Sequence, residues 1–189
     1  MKYYSFHAGF LIDPKPKSLG KVIPKVFVQP RRKSLEIFIS SIKKLAQYAE
    51  KKKLKLFLEN NVISKANLKR FKKNPLLMTE PKEIKKIMRQ LPENVKLLMD
   101  VAHFKVSSVT LNFDLIRSFK NLKEFIGAYH LSDNNGIIDN NKDIKKNSWF
   151  MNLISKVDFI SIEVANKNLK QIRNQIILIK NRLNCLNVQ

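Results

Sequence analysis

The sequence predicts an α/β fold of the β/α-barrel type, and three observations carry that expectation. Short apolar runs of strand character alternate with amphipathic helical stretches along the chain. Each apolar run ends in a residue able to hold a metal ion or move a proton. The length, 189 residues with 44% hydrophobic side chains, suits one domain, taken here as residues 1–189, with a sizeable core.

The elements follow in order. Lys2–Phe6 reads as a short aromatic-rich strand, and residues 13–33, rich in Pro and Lys, as a loop. Residues 34–53 read as a helix, with Ser34 as cap and Leu35, Phe38, Ile42, Leu45 and Ala49 at helical spacing. Leu54–Leu58 is a strand. Thr79 caps the next helix, Pro81 lies in its first turn, and Ile84, Ile87, Met88 and Leu91 form one face. Val95–Met99 is a strand, Phe113–Lys123 a helix and Phe125–Leu131 a strand. Trp149–Lys156 reads as a short helix and Asp158–Ile162 as a strand. A last helix runs from about Asn166 to Asn184, with Leu169, Ile172, Ile176, Ile179 and Leu183 on one stripe.

Composition narrows the function classes. The N-terminal stretch MKYYSFHAGFLIDP has no uninterrupted apolar run, so neither a signal peptide nor a membrane span is expected. Cys185 is the single cysteine, which excludes an internal disulfide and favours a reducing cytoplasm. The net charge of +22 would suit a nucleic-acid partner. The cations are mostly Lys scattered along the chain, and Lys, Asn, Ile and Phe are abundant together. We read the charge as compositional bias rather than a phosphate-tracking surface.

The strand ends carry the chemistry. His7 follows the first strand, Glu59 the run LKLFL, Asp100 the run VKLLM with His103 three residues on, His130 lies at the end of the fourth strand, and Glu163 ends FISIE. In a β/α barrel these ends converge on the face where active sites sit. A buried carboxylate is costly unless compensated, so acids repeated at strand ends call for a common partner. Carboxylates from separate strands with one imidazole suit a divalent cation that keeps open positions for substrate.

The segments YSFHAGF, LFLENN, LLMDVAH, YHLSDNNG and ISIEV, in that order, resemble the xylose isomerase-like TIM-barrel superfamily, which includes sugar-phosphate isomerases, ketose 3-epimerases and the endonuclease IV type of DNA-repair enzyme. The resemblance implies a metal held by Glu59, Asp100, His130 and Glu163, with Mn²⁺, Mg²⁺, Co²⁺ or Zn²⁺ as the cation. It implies that His7, in His-x-Gly, and His103, in Asp-x-x-His, contact substrate or a further metal. The implied activity is isomerisation or epimerisation of a sugar or sugar phosphate through an enediolate, with Glu59 and Glu163 as the proton-transferring pair. A hydride shift is the other route open to such relatives.

The chain departs from that pattern twice. It begins at what resembles barrel strand three, so the expected fold is a TIM (β/α)8-type barrel lacking its first two βα units. A homo-oligomer or a partner chain supplying the strands is then expected. The nuclease-type Asp-x-His appears as Asp139-Asn140-Asn141. The alternatives are therefore an endonuclease-like phosphodiesterase on DNA, which the charge favours and Asn141 opposes, and a non-catalytic partial barrel. Asp133 either caps its loop or orients a ligand, and counts as a substrate-binding candidate. His103 serves either substrate contact or helix-start packing. Trp149 and Phe150 are expected in the core rather than over the pocket. Lys15, Lys17, Arg31 and Arg32 are expected on a solvated loop rather than on a substrate phosphate.

Overall fold

The computed structural model describes residues 2–12, 28–165 and 167–184. Among these, five strands form one parallel sheet in chain order: β1 (Tyr3–His7), β2 (Lys55–Glu59), β3 (Val95–Asp100), β4 (Ile126–Leu131) and β5 (Phe159–Ile162). The helices are α1 (Arg31–Lys51), α2 (Lys65–Phe71), α3 (Pro81–Met88), α4 (Val101–Leu111), α5 (Leu115–Leu122) and α6 (Leu169–Asn184). No described helix is long and apolar enough to cross a membrane.

The sheet curls. Adjacent strands lie about 4.8 Å apart, so in a flat sheet β1 and β5 would be separated by about 19 Å. Instead the Tyr3 and Phe159 rings, on those two outermost strands, lie 6.0 Å apart. Phe57 of β2 sits between them, 5.6 Å from Tyr3 and 5.1 Å from Phe159. Lys55 Nζ donates to Asp158 Oδ2 at 2.9 Å across the same gap. The concave face is thus filled by Tyr3, Phe57, Leu98, Ala128 and Phe159, as the interior of a small barrel is filled. Gly127 is required here: a Cβ at that position would stand 2.7 Å from Lys96 Cβ and 2.8 Å from the Phe57 ring. The convex face carries Leu56, Leu58, Leu97, Met99, Tyr129 and Leu131 into the main core beneath the helices. The architecture is a curled partial β/α barrel, and the parallel sheet brings every strand's C-terminal end to one rim.

The helical layer corrects several expectations. α1 starts at Arg31, inside the segment read as loop; Pro30 is its N-cap and Ser34 is buried within it. Thr79 does not cap α3: Glu80 holds that position, and Thr79 Oγ1 accepts from Asn74 Nδ2 at 2.6 Å. Residues 149–153 form turns and 154–156 have no regular structure, so the helix expected over 149–156 is absent. Phe150 is fully buried and Trp149 packs edge-on against Phe119 and Phe150, so both serve the core. α2 and α4 are additions that the amphipathic pattern did not signal. Ser64 caps α2, accepting from Asn67 N, but α2 buries no residue; α4 is buried nearly all round, so neither has a one-sided apolar stripe. Asp114 caps α5, accepting from Arg117 N at 2.8 Å. On α6, Ile179 is buried, whereas Leu169 is almost fully exposed. Arg31 is not a loop cation: it donates twice to the Glu83 carboxylate, at 2.7 and 2.8 Å, and to the Asn74 and Leu76 carbonyls. Arg32 pairs with Glu36 in the open. Lys15, Lys17, Asn166 and Cys185 lie outside the described residues.

Candidate metal centre

Strand register builds the site. In the parallel ladder His7 stands beside Glu59, and Asp100 beside His130. Glu163 directly follows β5, and its N–H donates to the Leu131 carbonyl at 3.0 Å, extending the ladder by one residue. Asp100 ends β3 and is also the N-cap of α4, where its Oδ1 accepts from His103 N at 2.8 Å. That single hydrogen bond fixes the three-residue spacing of Asp-x-x-His and turns His103 toward the rim.

The side chains meet closely. His130 Nδ1 lies 3.2 Å from Glu59 Oε1 and 3.0 Å from Glu163 Oε1, so two carboxylates bracket one imidazole nitrogen. Glu59, Asp100 and His130 offer ligand atoms all within 4.8 Å of one another, as do His7, Glu59 and His103. Glu59 belongs to both groups. Glu163, the fourth expected ligand, reaches His130 but falls outside those two groups. His7 is the exposed member, 3.7 Å from Glu59 Oε2 and stacked on His103 with centroids 5.9 Å apart.

One participant was not expected. Asp139, from the loop after β4, places Oδ2 3.0 Å from His103 Nε2. The sequence marked this position only through its incomplete Asp-x-His; Asn141 instead accepts from Ser132 Oγ at 3.2 Å. Asp133 stands apart from the cluster. Its carboxylate accepts from Lys105 Nζ, Ser148 Oγ and Asn134 N, pinning the loop that carries Asp139. It also lines a cavity of 560 Å³ shared with Asn134, Asn141, Lys142, Lys145 and Lys167.

The electrostatics follow from crowding. Burial drives the Asp100 carboxyl up to about 6, against the pull of His103. Burial alone would lower both buried histidines. For His103 the hydrogen bond to Asp139 and the charge of Asp100 outweigh it and raise the imidazole to about 9. For His130 the bonds to Glu163 and Glu59 do the same, to about 10. The bond to His130 holds Glu163 below the usual carboxylate range. Burial would raise Asp133, but the bonds from Lys105 and Ser148 win and lower it. Asp139 Oδ1 is buried with no hydrogen-bond partner among the described residues. Glutamate, aspartate and imidazole donors this close, with protonated histidines as their counter-charges, are a set that a divalent cation fits.

Fold and site together define a partial β/α barrel with an acid–imidazole cluster on the C-terminal rim of its strands. No family model matches the sequence, and no curated protein matches it. Solved structures do. A D-tagatose 3-epimerase-like protein matches with a TM-score of 0.70 and 20% identity, over 98% of this chain and 63% of that one. The TTHB071 protein from Thermus thermophilus, in a structure soaked with ZnCl2, matches with a TM-score of 0.59 and 15% identity, over 95% and 62%. The 3-keto-D-glucoside 4-epimerase YcjR from E. coli, in its apo form, matches with a TM-score of 0.59 and 11% identity, over 94% and 63%. These likenesses establish the fold, a partial β/α barrel, and the chain spans less than two thirds of each neighbour's length.

Proposed function

We propose that the chain carries the metal-binding and proton-transferring rim of a sugar or sugar-phosphate isomerase or epimerase, within the xylose isomerase-like superfamily. The observation that carries this reading is the pair of glutamates, Glu59 and Glu163, bracketing His130 Nδ1 beside a buried Asp100. Glu59, Asp100, His130 and Glu163 would hold a divalent cation: Mn²⁺, Mg²⁺, Co²⁺ or Zn²⁺. Such a cation supplies Lewis-acid stabilisation of the negative charge that develops on adjacent substrate oxygens. The two glutamates come from strands on opposite sides of His130. One carboxylate accepts the proton from the carbon next to the substrate carbonyl, and the other returns a proton to a neighbouring position or to the opposite face. His7 and His103 offer contacts to substrate hydroxyls or to a second cation. Asp133, with the amide- and lysine-lined cavity around it, is the further candidate for substrate binding. The names of two structural neighbours, a D-tagatose 3-epimerase-like protein and a 3-keto-D-glucoside 4-epimerase, support the same reaction class.

The test is isotope exchange. Incubating the protein with a divalent cation and a ketose or ketose phosphate in deuterated water should label the carbon next to the carbonyl. Glu59→Gln and Glu163→Gln should each abolish labelling, because each carboxylate has its own half of the transfer. Turnover that keeps the substrate's own hydrogen would point to a hydride shift. A phosphodiesterase reading draws on the +22 charge and the His103–Asp139 pair. Cleavage of abasic-site DNA without action on any sugar would establish it in place of the isomerase.

A further inference from the structure

We infer that Asn60 is a positioning residue of the metal site, locking Asp100 and His103 to the end of the strand that carries Glu59. This rests on the metal reading above. Asn60 is completely buried at the C-terminal end of β2, directly after Glu59. Its side chain grips the backbone of Asp100 on both sides. Oδ1 accepts from Asp100 N at 2.8 Å, and Nδ2 donates to Asp100 O at 3.1 Å. Its own carbonyl accepts from His103 Nδ1 at 2.9 Å. A carbonyl only accepts, so Nδ1 of His103 must carry a proton, and Nε2 is the nitrogen turned toward Asp139 and Asp100. One residue thus fixes the backbone that aims the Asp100 carboxylate and the orientation of the His103 ring. It does so from the residue next to Glu59.

The grip goes beyond what the sheet needs. β2 and β3 are already paired from Leu56–Val95 to Glu59–Leu98, and that ladder stops short of Asp100. Asn60 continues it by side chain, over the two residues where the acids must converge. The adjacent Asn61 makes a comparable grip on the other flank, donating from Nδ2 to the Ala8, Gly9 and Leu77 carbonyls. The two asparagines after Glu59 tie the third and the first strand ends to the second. Groups that orient metal ligands are commonly worth 10–100-fold in metal affinity.

The experiment is a Co²⁺ titration of the full chain, followed by visible absorption, with thermal melting of each variant. Asn60→Ala should weaken Co²⁺ binding about tenfold or more and change the absorption envelope. Asn60→Ser, whose hydroxyl can replace one of the two bonds to Asp100, should recover part of the affinity and also serves if the Ala variant does not fold. Asn94→Ala is the control. Asn94 makes a similar side-chain clamp, Nδ2 to the Ala46 carbonyl at 2.8 Å, but just before β3, at the opposite rim. It should lower the melting temperature and leave Co²⁺ affinity unchanged. Equal loss of affinity in the Asn60 and Asn94 variants, or wild-type affinity and spectrum in a folded Asn60→Ala, overturns the inference alone. Failure of the wild-type chain to bind any Co²⁺ overturns the metal reading and the inference with it.

Discussion

At the scale of single residues the site is a balance of charges that a cation would rearrange. The His130 imidazolium is stabilised by Glu59 and Glu163, and the His103 imidazolium by Asp139 and Asp100. Both histidines have raised values, so without metal their ion pairs stabilise the fold fully below the ordinary histidine value of 6.5. That contribution fades as pH rises through about 9 to 10. Asp100, raised from 3.8 to about 6, works in the same sense: the fold favours its neutral form, and the advantage is lost as pH rises through about 6. A cation must displace the His130 proton to use that nitrogen. Binding at neutral pH should therefore release at least one proton, and affinity should climb about tenfold per pH unit for each proton displaced. Calorimetry in buffers of different ionisation enthalpy measures this directly; binding that releases no proton would exclude His130 as a ligand. Metal analysis of purified variants is the companion test. Asp100→Ala and His130→Ala should each lose stoichiometric metal, whereas Asp133→Asn, away from the cluster, should keep it.

At the scale of elements, what was legible depended on whether a residue's partners lie close by in the sequence. The runs LKLFL and VKLLM each read as a strand because a single lysine is all that interrupts the apolar residues, and each structural strand reaches one residue further, onto Glu59 and Asp100. That is why the rim acids could be read from the chain alone. α4 could not be read as a helix, because Val101, Ala102, Phe104, Val106 and Ser107 are buried around its whole circumference and leave no periodic stripe. The grip of Asn60 on Asp100, 40 residues away, and the contact of Asp139 with His103 are tertiary facts with no local signature. Arg31 is a further case. It sits in a stretch read as a basic loop, yet it ties the start of α1 to Glu83 of α3 and to the 74–76 segment. Its guanidinium is only partly exposed and binds Glu83 through two nitrogens, a geometry stronger than an ordinary surface pair. Arg31→Ala should cost about 2 kcal/mol in urea unfolding, with the denaturant slope unchanged. Arg32→Ala, which removes an exposed pair within one helix, should cost about 0.5 kcal/mol or less.

At the scale of the whole molecule, two features pull against each other. The concave face needs no outside help, because Tyr3, Phe57 and Phe159 close it from opposite strands. The sides of the sheet are another matter. Among the described residues β1 and β5 each pair with one neighbour only, and an unpaired strand edge is a template for another chain. The β1 side adds apolar surface: Tyr4 on the strand and Ile37, Leu45 and Tyr48 along α1 are all half exposed or more. On the β5 side α6 exposes Ile176 and Ile177. At about 25 cal/mol per Å², covering about 400 Å² of such surface is worth about 10 kcal/mol, as large as a domain's whole net stability. Opposing this is the net charge of +22, which repels a second copy at long range. Salt screens that repulsion over roughly 8–10 Å at physiological ionic strength and leaves the apolar attraction in place. The protein should therefore melt cooperatively yet self-associate increasingly as salt and protein concentration rise. An acidic partner that covers the β1 edge should suppress that association. Sedimentation velocity across a salt series measures it. A monomer unchanged from low to high salt would show that the edges are already protected and that the exposed residues of β1, α1 and α6 do not drive assembly.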